Sequence, residues 1–184
     1  MRWTDIGGMT CSVARTLAVV GDRWTLLILR DAFLRTRRFD DFQSQLGISR
    51  HRLTARLRTL VAHGVLERVR YQQRPPRDEY RLTEKGLDLY PVLASLVRWG
   101  DRWMAGGHGV PVELVHRSCG RVITPTLSCP HCGGAIQARD MRAQPGPALR
   151  RIAGTGRAHA RRTATPTAVR VSPLKRHTAK EGSR

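Results

Sequence analysis

The chain has 184 residues, with 33 Lys and Arg against 14 Asp and Glu and a formal net charge of +19. That length gives room for one domain with a small appendage and a buried core, and the charge makes a polyanion such as nucleic acid the default partner. No apolar run reaches the roughly 18 residues of a membrane helix, no secretory core opens the chain, and four cysteines suit a reducing interior, so the sequence reads as a soluble, cytoplasmic protein.

Residues 1–10 read as an N-terminal arm. Over residues 12–21, Val13, Leu17 and Val20 recur at helical spacing and predict a helix with one buried stripe, ended by Gly21. Asp22 then reads as the cap of a second helix, Arg23 to Leu34. Its Trp24, Leu26, Leu27, Ile28 and Leu29 are apolar nearly all round, which places it centrally. A basic turn, Arg35 to Arg38, closes it. Asp40 is the candidate N-cap of a short helix that buries Phe42 and Leu46. Gly47 makes the turn, and Ser49 caps a helix running to His63, with Gly64 just beyond its end.

That last helix contains the run SRHRLTARLRTL, residues 49–60. At about 100° per residue, Leu53, Leu57 and Leu60 fall in one narrow sector. His51, Ala55 and Arg58 lie opposite, Arg52 and Thr54 to either side, and Arg50 and Arg56 flank the apolar stripe. The outer face is small and basic, which suits entry into a major groove about 12 Å wide. Guanidinium groups are apt there because each can donate two hydrogen bonds to guanine O6 and N7, or neutralise a phosphate. All but three of the basic residues are arginine, a skew that base composition alone can produce, so the position of the charge decides its meaning.

Val65 to Tyr71 alternates like a strand, Gln72 to Asp78 with Pro75 and Pro76 cannot continue a ladder, and Glu79 to Leu82 resumes extension. The result is a hairpin with a basic tip. Its Arg70, Arg74 and Arg77 would lie along the adjacent DNA backbone as a wing, adding affinity with little sequence information. Residues 49–81 hold nine arginines against Glu67, Asp78 and Glu79, so the positive surface is local. Helix, tight turn, basic helix and basic hairpin in this order predict a winged helix-turn-helix of mainly α (α+β) class. Thr83 opens a long helix to about Ala105, with Leu87, Tyr90, Leu93, Ala94 and Val97 as its stripe and Pro91 as a kink.

Residues 110–138 read as short strands around Cys/His turns. His116 and Cys119 are followed, after nine intervening residues, by Cys129 and Cys132, with Gly120 and Gly133 after each pair. Two such turns on short strands form a zinc ribbon, and four protein ligands would leave no open position, so a zinc ion there would be structural. His131 is an alternative to His116, and free thiols or a redox disulfide are the other reading. Residues 141–184, with 11 basic residues and one acid, show no periodicity and are expected to be a disordered basic tail that adds salt-sensitive attraction to DNA.

The run CSVARTLAVVGDRWTLLILRDAFLRTRRFDDFQSQLGISRHRLTARLRTLVAHGVLERVRY, followed by DEYRLTEKGLDLYPVLASLVRWGDRW, resembles the HxlR-type family of bacterial winged helix-turn-helix transcription regulators. The likeness covers about residues 11–103, and the winged domain is taken as residues 11–105. The resemblance implies a homodimer, paired through the N-terminal helix and the helix from Thr83 to Ala105, that binds a pseudo-palindromic DNA operator as a repressor. It implies His51, Arg52, Thr54, Ala55 and Arg58 at or near the bases, and Arg56, Arg74 and Arg77 on phosphates. Ser49, Arg50 and Arg70 complete the DNA-facing set. Some relatives sense oxidants or electrophiles through a cysteine matched here by Cys11, so a redox or small-molecule effector is one reading of Cys11; the other is a small buried residue at a dimer interface. No nucleophile-base pair, carboxylate pair or glycine-rich phosphate loop points to an enzyme. The alternative is a zinc-ribbon nucleic-acid or interaction module without operator specificity.

Overall fold

The structure, a computed structural model, describes residues 3–107 and 109–156. A 3-10 turn, Trp3–Gly8, precedes α1 (Ser12–Val20), α2 (Arg23–Phe33), α3 (Phe39–Leu46) and α4 (Arg50–Ala62). Strands β1 (Leu66–Gln72) and β2 (Arg77–Leu82) follow, then α5 (Glu84–Leu87), α6 (Tyr90–Met104), β3 (Leu114–His116), β4 (Arg121–Ile123) and α7 (Pro147–Gly156). The class is therefore mainly helical, with two antiparallel two-stranded sheets, β1–β2 and β3–β4.

The apolar helix α2 is central: it packs against α1, α3, α4, α6 and β2. Its start is fixed by Asp22, whose carboxylate accepts from the N–H groups of Trp24 (3.0 Å) and Thr25 (3.3 Å), satisfying two donors that the helix itself leaves unpaired. Ile28 and Leu29 of α2, Phe42 of α3, and Leu53, Leu57 and Leu60 of α4 are all completely buried and share one core with Ile48, Val65 and Leu66.

Four expectations are corrected. The N-cap of α3 is Arg38, not Asp40. The Tyr80 N–H donates to the Arg37 carbonyl (2.8 Å) and Arg38 bridges Glu79, so pairing with β2 holds the chain extended up to Phe39. Asp40 and Asp41 then sit in the first turn, where the helix dipole favours negative charge. Second, the α1 stripe is not buried by its own chain: only Val20 is enclosed, while Val13 is 67% exposed.

Third, the helix expected from Thr83 to Ala105 is two helices. Pro91 has no N–H for the Leu87 carbonyl, so α5 ends at Leu87 and α6 begins with Pro91 in its first turn. Of the apolar stripe, Leu87 and Tyr90 are exposed, Ala94 is buried and Leu93 packs on the core. Fourth, the chain divides after Ala143, and α7 occupies part of the stretch read as disordered. Pro147 presets the first helical turn, and Ala148, Leu149, Arg150 and Arg151 are good helix formers. The rest of the basic tail, residues 157–184, lies outside the described residues.

The link from α4 to α5 is tight. The Thr83 hydroxyl donates to the Gly64 carbonyl (2.6 Å) and accepts from the Gly86 N–H (3.1 Å), and Lys85 Nζ donates to the His63 carbonyl (2.8 Å). A Cβ on Gly86 would stand 2.2 Å from the Val65 carbonyl oxygen, inside backbone that cannot yield. Gly86→Ala is therefore expected to lower stability by about 1–3 kcal/mol, read as a fall in the urea midpoint at unchanged slope.

Candidate nucleic-acid interface

Helix α4 is positioned from beneath by its three buried leucines and at its start by Ser49, whose hydroxyl accepts from the Arg52 N–H at 3.5 Å. Ile48 is buried at the turn and Gly47 adopts a left-handed conformation, φ 59°. The side turned away from the core carries Arg50, His51, Arg52, Ala55 and Arg58, all exposed, with Thr54 half-buried and its hydroxyl on the Arg50 carbonyl (2.8 Å). The predicted DNA-facing set on this helix thus falls on one exposed side, apart from two arginines with partners.

Arg56 is half-buried, and its Nε lies 3.1 Å from Asp22 Oδ1, the same oxygen that caps α2. It ties α4 to α2 rather than standing free. Arg50 lies with its guanidinium 4.7 Å from the centre of the Phe39 ring and 3.8 Å from Asp40, which links the start of α4 to α3. Among the described residues no carboxylate pairs with Arg52 or Arg58.

In the wing, β1 and β2 run antiparallel from Leu66 opposite Leu82 to Gln72 opposite Arg77, with an irregularity between Arg70 and Gln72. Arg74 and Arg77 are exposed and have no carboxylate partner among the described residues. Arg70 is different: its Nε donates to Asp78 at 2.6 Å, and Arg68 binds the other oxygen of the same carboxylate. The two guanidiniums, Arg70 foremost, hold the Asp78 carboxyl below the usual carboxylate range. A depressed carboxyl stabilises the fold at pH values above its ordinary range and loses that contribution as the pH falls through the lowered value. The clamp is therefore closed at neutral pH. Asp78→Asn should release both arginines and steepen the salt dependence of DNA binding by up to about 0.9 in log–log slope for each one that meets a phosphate, checked by salt titration.

Sequence reasoning missed a third edge of the wing. Arg38 bridges Glu79 and stacks on Tyr71, guanidinium to ring centre 4.9 Å. The clue was the closely spaced Arg35, Arg37 and Arg38 immediately before α3.

Away from this face, Cys11 is exposed at the N-cap of α1, and the neighbouring Arg15 guanidinium donates to the Met9 carbonyl at 3.0 Å. The predicted metal ligands stand in two pairs. His116 Nδ1 and Cys119 Sγ are 3.5 Å apart in one turn, and Cys129 and Cys132 occupy the other, with His131 exposed between them. The backbone N–H groups of Cys132 and His131, followed by the Cys132 side chain, lower the Cys129 thiol from its ordinary value. Among the described residues no three His, Cys, Asp or Glu side chains are grouped to hold one ion, and no helix is long and apolar enough to cross a membrane.

A buried helix-turn-helix that presents an arginine-bearing helix beside an antiparallel wing defines a winged helix-turn-helix DNA-binding protein. The family model for HxlR-like helix-turn-helix proteins matches residues 19–107. An uncharacterized HTH-type transcriptional regulator of Mycobacterium tuberculosis is 48% identical over 139 residues, covering 76% of this chain and 88% of the relative. The crystal structure of PA1607, a candidate transcription factor, is 38% identical, with a TM-score of 0.70 over 78% of this chain and all of that one. PA1374 of Pseudomonas aeruginosa, another candidate transcription factor, is 40% identical, with a TM-score of 0.55 over 77% of this chain and 99% of that one. The chain belongs to the HxlR-like helix-turn-helix family, a family of DNA-binding transcriptional regulators.

Proposed function

We propose that the protein is a sequence-specific repressor that binds a pseudo-palindromic operator as a homodimer. The observation that carries this reading is α4: Leu53, Leu57 and Leu60 are completely buried while Arg52 and Arg58, with His51 and Ala55, stand exposed, and among the described residues no carboxylate pairs with either arginine. Side chains locked on one side and unengaged on the other form a rigid reader for base edges. Arg74 and Arg77 supply phosphate contacts from the wing.

The dimer reading rests on exposed apolar surface. Along α6, Val92, Leu96, Trp99 and Trp103 follow helical spacing on a face opposite the one that meets α2, and Trp99 and Trp103 are 57% and 65% exposed. Val13 and Leu17 of α1 are exposed as well, and exposed apolar residues grouped on a helix face mark an interface. A two-fold pair would set two α4 helices in successive major grooves, about 34 Å apart. A dimer seated over a promoter blocks polymerase, hence repression. Cys11 is the group we assign to any thiol response, since it is exposed at the start of α1, where a reagent can reach it. Diamide should then release DNA from wild type and not from Cys11→Ser.

Competition at fixed salt tests the central reading. A duplex from the promoter flanking the protein's own gene should outcompete random duplex and RNA, and the protein should sediment as a dimer. Equal competition by all three would support a non-specific nucleic-acid module instead.

A further inference from the structure

Three of the four cysteines lie between residues 119 and 132, outside the DNA-facing surface. Cys119 and Cys132 are exposed and Cys129 is half-buried, whereas a cysteine that serves only packing is among the most buried of residues. Their two turns share one construction. The His116 carbonyl accepts from the Gly120 N–H at 2.8 Å, and the Cys129 carbonyl accepts from the Gly133 N–H at 2.8 Å. Both glycines are left-handed, φ 67° and 71°, a conformation that closes such a turn and that side chains disfavour.

Each turn also closes a short antiparallel pair, β3 with β4 in one case and Ser128 with Ala135 in the other. In the first turn the donors are already spaced for an ion. Bond lengths of about 2.3 Å to sulfur and about 2.1 Å to nitrogen at a tetrahedral angle put the two donors about 3.6 Å apart, and His116 Nδ1 stands 3.5 Å from Cys119 Sγ. In the second turn the Cys129 N–H donates to the Gly134 carbonyl at 2.8 Å, so backbone hydrogen bonds fix both sides of the turn that carries Cys129 and Cys132. The segment that joins the two turns lies along one stretch of α6: Val122 and Ile123 border a groove with Arg98 and Arg102, and Leu127 borders another with the same two residues.

We propose that a single zinc ion closes the two turns, bound by His116, Cys119, Cys129 and Cys132. The two pairs are separate in the described structure, and binding of the ion draws them together, as metal sites commonly form only with the metal. Four protein ligands fill the shell, so the ion is structural and braces the hairpins that lie on α6.

The test uses the full chain, purified without chelator under reducing conditions. Wild type should carry one zinc per chain, and cobalt titrated into the metal-free protein should give the absorption bands of a tetrahedral thiolate site. Cys119→Ser, Cys129→Ser and His116→Ala should each lower the retained zinc at least tenfold, while Cys11→Ser and His131→Ala keep it. The cobalt spectrum of wild type needs no variant to fold. Absence of stoichiometric zinc after metal-replete purification would overturn the proposal. So would a Cys129–Cys132 disulfide that persists in reducing buffer, or zinc retained in both Cys119→Ser and His116→Ala, which would mark a two-cysteine surface site.

Discussion

Arg58→Ala is expected to weaken operator binding at least tenfold and to relax sequence preference at one base pair of each half-site. A guanidinium bonded to a guanine edge discriminates by about 1–3 kcal/mol, and a homodimer loses two such contacts. Arg58 is exposed and has no carboxylate partner among the described residues, so its removal breaks no ion pair there. Arg56→Ala makes the contrast. Its guanidinium is bound to Asp22, so that change should act on stability and on how α4 is seated, with base preference unchanged. Fluorescence anisotropy with the operator and with single-base variants, at one salt concentration, separates the two. Equal affinity and equal preference for wild type and Arg58→Ala would remove Arg58 from the reading set.

Leu57→Ala is the substitution expected to cost most in stability. Leu57 is completely buried between α4 and the core, and truncating such a leucine typically costs about 2–5 kcal/mol through lost transfer energy and the cavity left behind. Against a total of about 5–15 kcal/mol for a domain, that is enough to unfold a large fraction of the protein near its melting point. Leu57→Met keeps the volume and should cost less than about 1.5 kcal/mol. Urea denaturation followed by circular dichroism checks both. The folded remainder of Leu57→Ala should bind DNA as wild type does, because the reading side chains are untouched.

Much of this was legible in the sequence because it is local. The spacing of Leu53, Leu57 and Leu60 specified which side of α4 is buried, and Asp22, Ser49 and Thr83 marked helix starts through contacts two or three residues away. What could not be read depends on distant groups. Arg56 and Arg70 look like free cations in sequence, yet each is held by a carboxylate brought near by folding, Asp22 across two helices and Asp78 across the wing. The start of α3 depends on Arg38 pairing with Glu79, a bridge between remote segments. The stripe on α1 has the period of a buried face, but its own chain leaves Val13 exposed. Periodicity states that a face is apolar, not which molecule covers it. The division at Pro91 was open to sequence reading, since a missing N–H ends one helix as readily as it bends it.

The most direct measurement is selection from a pool of random duplexes, run in parallel for wild type and Arg58→Ala. Wild type should enrich one inverted repeat whose half-site centres lie about one helical turn apart, and the variant should lose information at matched positions in both halves. Recovery of an unenriched pool by wild type would contradict the account.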